Sequence, residues 1–172
     1  MKNLSYQISL IGALFISAFF PKVTYAQHVP IIPIPQEVVF QEGVFLLTKD
    51  ISLQADEELG KLSNYLNDRL QQIVGFRIAR NANSSTQFHI GLTDDLENEE
   101  AYKLTIDEKG IELSAKSVKG LFYGIQSFMQ LLPPYQNNEV LNLPKLTIND
   151  SPAMNWRGLL LDVSSIFSPL RK

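Results

Sequence analysis

The stretch Ser117–Pro134, SVKGLFYGIQSFMQLLPP, predicts a helix that packs against a core along one side. Ser117 is placed to cap this helix, which we expect to run over about 118–132. The prolines at 133 and 134 end it, because the residue before a proline is driven out of the helical conformation. Apolar residues three or four positions apart form its buried stripe: Leu121, Ile125, Phe128 and Leu132.

A second amphipathic helix is expected upstream, over about 57–74. Asp56 is placed to cap it and Gly75 to end it. Its apolar stripe is made of Leu59, Leu62, Leu66, Leu70 and Ile73.

Strand patterns surround both helices. Residues 102–106 and 111–115 alternate apolar with polar residues, and the DEKG turn at 107–110 predicts a hairpin between them. Further strands are expected at 37–40, 44–47, 51–53 and 88–92, with the first two joined as a short hairpin through 41–43. The order of strands, helix, strands and helix predicts an α+β fold, in which a small antiparallel sheet carries two helices on one face.

The first 26 residues have the pattern of a signal peptide. Lys2 supplies positive charge, an apolar run covers 8–20, and Ala26 offers a small residue before the expected cleavage. An uncleaved anchor is the alternative, although the run is short for a bilayer. With no cysteine, the chain has no site for lipid attachment and no disulfide. We therefore expect export to a bacterial periplasm or the exterior.

The bulk composition excludes some partners. The chain has 172 residues, 45% of them hydrophobic, and a net charge of -3. Such a chain has no basic surface for nucleic acid, and no membrane association is expected after signal cleavage.

No local motif for catalysis or metal binding stands out. The two histidines lie apart: His28 falls in the proline-rich lead-in, and His89 falls in an apolar strand, where a structural role is expected. The acidic run 94–100 lacks the spacing of a calcium loop. Asn83 begins a glycosylation sequon, but we give this motif little weight because the chain resembles a bacterial protein. We predict no catalytic residue, no metal site and no cofactor.

Two motifs resemble those of exo-acting β-N-acetylhexosaminidases of glycoside hydrolase family 20. The first is VKGLFYGIQS, 118–127, followed by QLLP at 130–133. The second is INDSP, 148–152, followed by WRGLLLDVS at 156–164. The opening IPIP at 32–35 is also similar to the start of that family's N-terminal domain.

The resemblance implies a division of the chain. Residues 27–152 would form the N-terminal α+β domain, and 153–164 the first strand of a (β/α)₈ catalytic barrel. In such enzymes the acetamido oxygen of the substrate attacks the anomeric carbon, and a downstream Asp-Glu pair assists. That pair would lie beyond Lys172, so this chain alone is expected to be inactive.

The resemblance gives one substrate-binding residue. Arg157 matches the arginine that binds hydroxyls of the terminal sugar, and a guanidinium fork suits two neighbouring hydroxyls. The alternative is a surface or interdomain residue. Asp162 would lie near the catalytic end of the first barrel strand. We expect Phe122, Tyr123 and Trp156 to be packing residues.

The last eight residues, 165–172, depart from the family pattern. The family continues Arg-His-Phe-Phe-Pro after the Asp-Val-Ser of 162–164, whereas this chain has SIFSPLRK. Removing one G from suitable codons for the family pattern yields this tail and a stop, so a frameshift is one explanation. A divergent end and a misassembled gene are the others.

Two functions follow. The first is the N-terminal fragment of a secreted exo-β-N-acetylhexosaminidase whose partners are N-acetylhexosamine-containing glycans. The second is a stand-alone glycan-binding or interaction module without catalysis.

Overall fold

The fold is a seven-stranded sheet with two helices. A computed structural model describes residues 29–80, 84–133 and 140–154. The strands are β1 Glu37–Thr48, β2 Ser52–Ala55, β3 Ala79–Arg80, β4 Gln87–Leu92, β5 Tyr102–Ile106, β6 Gly110–Ala115 and β7 Val140–Asp150. The helices are α1 Gly60–Val74, which a 3₁₀ turn at Glu57–Leu59 precedes, and α2 Val118–Leu131.

The sheet is mixed, with strand order β1-β7-β5-β6-β4-β2-β3. Three neighbouring pairs are antiparallel and three are parallel. The parallel pairing of β2 with β4 arises because α1 carries the chain back between them. The predicted α+β class is confirmed, and the sheet, for which mainly antiparallel pairing was expected, is mixed.

Both helices pack on the same face of the sheet. Helix α2 contacts β4, β5 and β6, and α1 contacts both α2 and β2. The predicted stripes are buried, including Leu66 and Leu70 of α1 and Leu121 and Phe128 of α2, except that Ile73 is only partly buried. Phe128 also meets Phe88 of β4 edge to face, with ring centroids 4.9 Å apart. The core therefore lies between one helix layer and one sheet layer.

The predicted hairpin at 37–47 is wrong, because β1 is one strand of 12 residues. Both halves pair with β7, and their register shifts between Phe40 and Val44. Gly43 has a φ of 92°, which glycine adopts without strain. The turn residues therefore form a bulge inside one strand.

The helix ends follow the sequence signals in part. Ser117 caps α2, since its side chain accepts a hydrogen bond from the Lys119 N–H at 3.0 Å. Gly75 ends α1 in the left-handed conformation, with a φ of 85°. The predicted cap at Asp56 is wrong: its side chain makes no capping bond, because a 3₁₀ turn comes first.

The lead-in from Val29 packs against the domain. Ile31 is buried. The Ile32 N–H donates to Gln130 Oε1 at 2.9 Å, and Gln130 Nε2 donates to the Ile32 carbonyl at 3.3 Å. One glutamine of α2 thus fixes the backbone of the lead-in by two bonds.

Candidate functional site

The face of the sheet away from the helices is polar, and we call it the open face. Strand alternation turns the apolar residues of β4, β5 and β6 toward the helices and their polar neighbours outward. The outward residues include His89, Lys103 and Glu112, all exposed. The register places His89 and Thr105 on either side of Glu112. A second row joins Asn149, Lys103 and Ser114.

These rows line a trough along the open face. One depression of about 520 Å³ and another of about 330 Å³ share His89, Thr105 and Glu112. We call the combined surface the open-face trough, defined by His89, Lys103, Thr105, Glu112, Ser114 and Asn149. Thr93 and Asp95, in the acidic loop after β4, form one wall. The larger depression has the volume of a small-molecule site.

His89 lies along the floor of this trough. A Cβ atom built on Gly91 would lie 2.9 Å from Cε1, 3.6 Å from Nε2 and 3.7 Å from Nδ1 of His89. The imidazole therefore covers the glycine and occupies the space that a side chain at 91 would need. A structural role was predicted for His89. Its side chain is exposed, so any such role is not that of a buried core residue.

The trough can bind through hydrogen bonds but shows no catalytic constellation. No group of three or more potential metal-ligating residues occurs in the described ranges, including the acidic loop. No described helix is long and apolar enough to cross a membrane. Strand alternation predicts that each of these side chains faces outward, but the strand order that brings them together is seen only in the structure.

A buried polar contact joins α2 to the sheet at the corner where the chain leaves the domain. The hydroxyl oxygens of Tyr102 and Ser127 lie 2.6 Å apart. Burial raises the pKa of Tyr102 well above its usual range; the Ser127 hydrogen bond opposes this and nearby Asp150 adds to it. At the same corner, the Gln36 N–H donates to Asp150 Oδ1 at 3.1 Å, and Gln36 Nε2 donates to the Ser151 carbonyl at 2.6 Å.

The first motif of the resemblance, 118–127, serves packing. Cβ atoms on Gly120 and Gly124 would overlap the Ala101 carbonyl oxygen and the Leu113 side chain, so only glycine lets α2 approach the sheet this closely. Ser127 makes the contact to Tyr102. No residue of this motif lines the open-face trough.

Phe122 and Tyr123 of α2 form a partly exposed aromatic cluster with Tyr65 of α1. The ring centroids of Phe122 and Tyr65 lie 5.4 Å apart, and those of Phe122 and Tyr123 lie 6.1 Å apart. Gln126 donates to the Tyr65 hydroxyl at 2.9 Å. Phe122 remains 40% exposed and Tyr123 36%, so the packing expected of them is partial.

Other candidate residues lie outside the described residues. They are His28, Asn83, Trp156, Arg157 and Asp162. The structure therefore leaves the sugar-binding assignment of Arg157 as a prediction.

Comparison with known proteins identifies the family. The model described as glycosyl hydrolase family 20, domain 2, matches residues 28–151. A beta-hexosaminidase of Porphyromonas gingivalis is 31% identical over 153 residues, covering 83% of this chain and 20% of that protein. A mutant Streptomyces plicatus beta-hexosaminidase in complex with product GlcNAc superposes with a TM-score of 0.70 at 26% identity, covering 83% of this chain and 30% of that one. A Flavobacterium johnsoniae chitobiase gives a TM-score of 0.56 at 29% identity, covering 82% and 23%.

These matches agree with the α+β fold and span most of its described length. The fold and the matched region define the class as the domain described as domain 2 of glycosyl hydrolase family 20. The chain belongs to glycosyl hydrolase family 20. It spans only about a fifth of the Porphyromonas gingivalis relative.

Proposed function

We propose that this chain is the N-terminal part of an exported exo-β-N-acetylhexosaminidase. The intact enzyme would remove terminal, non-reducing N-acetylhexosamine by the substrate-assisted, retaining mechanism. Family membership over residues 28–151 supports this proposal. The related proteins are named beta-hexosaminidase and N,N'-diacetylchitobiase.

The chain by itself is proposed to be inactive and to serve as a scaffold. The described residues provide a packed sheet, a helix layer and a polar trough, whereas glycoside hydrolysis generally needs groups held at the anomeric carbon. Residues 153–164 are proposed to begin the catalytic barrel. Arg157 is proposed to bind sugar hydroxyls there.

A hybrid enzyme tests this proposal. Residues 27–164 of this chain would replace the matching segment of the Porphyromonas gingivalis beta-hexosaminidase. We expect the hybrid to hydrolyse an aryl N-acetyl-β-glucosaminide and the chain alone to release no product. Hydrolysis by the chain alone, or a folded but inactive hybrid beside an active parent, would contradict the proposal.

The same hybrid tests Arg157. Replacing it by Ala removes charged hydrogen bonds worth about 2 kcal/mol, so kcat/KM should fall about 30-fold. Arg157→Lys should restore only part of this, because a lysine lacks the planar fork. An unchanged kcat/KM would favour the surface or interdomain role.

Export is tested separately by expression in a bacterial host. We expect the periplasmic protein to begin at Gln27, as read by N-terminal sequencing. A protein that retains Met1 would support the uncleaved anchor.

A further inference from the structure

We propose that the open-face trough binds a stretch of neutral oligosaccharide. This inference goes beyond the proposed function, from which it takes only the class of ligand. A terminal-sugar site that includes Arg157 would lie outside the described residues, whereas the trough lies on β4, β5, β6 and the end of β7.

The shape of the trough suits an extended ligand. The depressions share their central residues, so they form one channel along the strands. Strand β6 has six residues and lies beneath the channel. At about 3.3 Å per residue, six residues extend about 20 Å, which can accommodate several linked sugar rings.

Three side chains of the trough have unused hydrogen-bonding capacity, whereas Asn149 Nδ2 already donates to Glu37 Oε2 at 2.7 Å. Within the described residues, the side chains of His89, Lys103 and Glu112 make no hydrogen bond or ion pair. By contrast, the nearby Lys145 pairs with Glu108 at 3.2 Å. Lys103 offers donors and Glu112 acceptors, and the neighbouring hydroxyl of Thr105 offers both. Sugar hydroxyls and acetamido groups can satisfy each of these.

The charges around the trough favour a neutral ligand. Two lysines, Lys103 and Lys109, line the two depressions together with three carboxylates, those of Asp95, Asp107 and Glu112. This near balance, with one negative charge in excess, provides no net attraction for a polyanion. The density of polar side chains equally disfavours a purely apolar ligand, whose binding would leave these groups without partners.

The imidazole of His89 supplies a flat contact within this polar surface. Because the ring covers Gly91, its place on the floor depends on the missing side chain there. A planar ring can contact a sugar ring over its face while its nitrogens bond to hydroxyls. Gly91→Ala would displace the ring with little change at the other trough residues.

The test is a titration of the purified chain with tetra-N-acetylchitotetraose, followed by ¹⁵N chemical shifts. We expect shifts confined to β4, β5, β6, the end of β7 around Asn149 and the loop after β4, with a Kd on the order of 1 mM. His89→Ala, Gly91→Ala and Lys103→Gln should each weaken binding about three- to tenfold. Lys61→Ala, on the exposed side of α1, is the matched control and should leave the Kd unchanged.

Three outcomes would overturn the proposal. They are no shifts at millimolar ligand, shifts confined to the helix layer, and tighter binding of an oligogalacturonate than of the neutral oligomer. The result is separable from the catalytic proposal. If the oligosaccharide binds in the trough but the hybrid enzyme is inactive, only the hydrolase proposal fails. If the hybrid is active but no oligosaccharide binds in the trough, only the trough-binding proposal fails.

Discussion

The two faces of the sheet place opposite demands on their residues. On the helix-covered face, Leu104, Leu113 and Ile90 are fully buried, and two glycines of α2 leave no space for a side chain. On the open face, His89 and Glu112 are exposed, and their side chains have no hydrogen-bonding partner among the described residues. The motif that marks the family belongs to the first face. This motif therefore serves packing, whereas the side chains of the open face are not needed for packing and are available for contacts with a ligand.

Matched glycine substitutions provide the strongest test of this difference. Gly120→Ala should lower the free energy of unfolding by about 2 kcal/mol, because its Cβ would overlap the fixed Ala101 carbonyl. Gly91→Ala should change it by less than about 0.5 kcal/mol, since only the His89 side chain must move. Urea unfolding followed by circular dichroism measures both. Equal losses would show that the two faces are equally constrained.

The buried hydroxyl pair should have the next largest effect. Tyr102→Phe removes the hydrogen bond to Ser127 and should destabilise the domain by about 1–1.5 kcal/mol. Ser127→Ala should do the same, and the double variant should lose little more than either single one. Additive losses in this double-mutant cycle would contradict a direct coupling.

The raised pKa of Tyr102 predicts a pH dependence. The folded state holds the phenol neutral, while the unfolded chain ionises near pH 10. Stability from this residue is therefore complete below pH 10 and falls above it, by about 1 kcal/mol between pH 10 and 11. Urea unfolding at several pH values should show a shallower decline for Tyr102→Phe. If stability declines equally steeply with pH in the wild-type chain and in Tyr102→Phe, ionisation of Tyr102 does not contribute to the decline.

Loss of the lead-in contact should have a smaller effect. Gln130→Ala removes both hydrogen bonds to Ile32 and should cost about 1 kcal/mol or less, because the contact is exposed. Lys119→Ala, at an exposed position of the same helix, is the control. Hydrogen exchange at the Ile32 amide should rise in the first variant only.

The smallest effect is expected on the open face. His89→Ala and Glu112→Gln should each change the free energy of unfolding by less than about 0.5 kcal/mol, since both side chains are exposed and neither is paired with another described residue. Thermal unfolding of each variant beside the wild-type chain measures whether the loss of stability exceeds this limit. A loss above about 1 kcal/mol at either site would show that the open face supports the fold.

Periodicity predicted both helices because their stripes run without interruption from Leu59 to Leu70 and from Leu121 to Phe128. It did not predict β7, where the buried residues are Leu141, Leu143, Leu146 and Ile148. Their alternation slips by one residue at Pro144–Lys145, opposite the bulge in β1. Alternation of period two therefore fails in both strands at the same place.

The trough was inaccessible to sequence reasoning for a different reason. Alternation gives the outward direction of His89 and Glu112, but not that β4 and β6 are neighbours. That pairing is parallel and skips β5, so it depends on the order of strands in the sheet. Local patterns contain no information about such non-local pairing.

The corner held by Gln36 has a mechanical consequence. Gln36 and Ser151 lie together, and Glu37 pairs with Asn149 as the first step of the β1–β7 ladder. Tension applied between the segments before Gln36 and after Ser151 would load that ladder one rung at a time. The hydrogen bonds between β1 and β7 would then break one after another and not all at once, so the domain should unfold at low force from this corner.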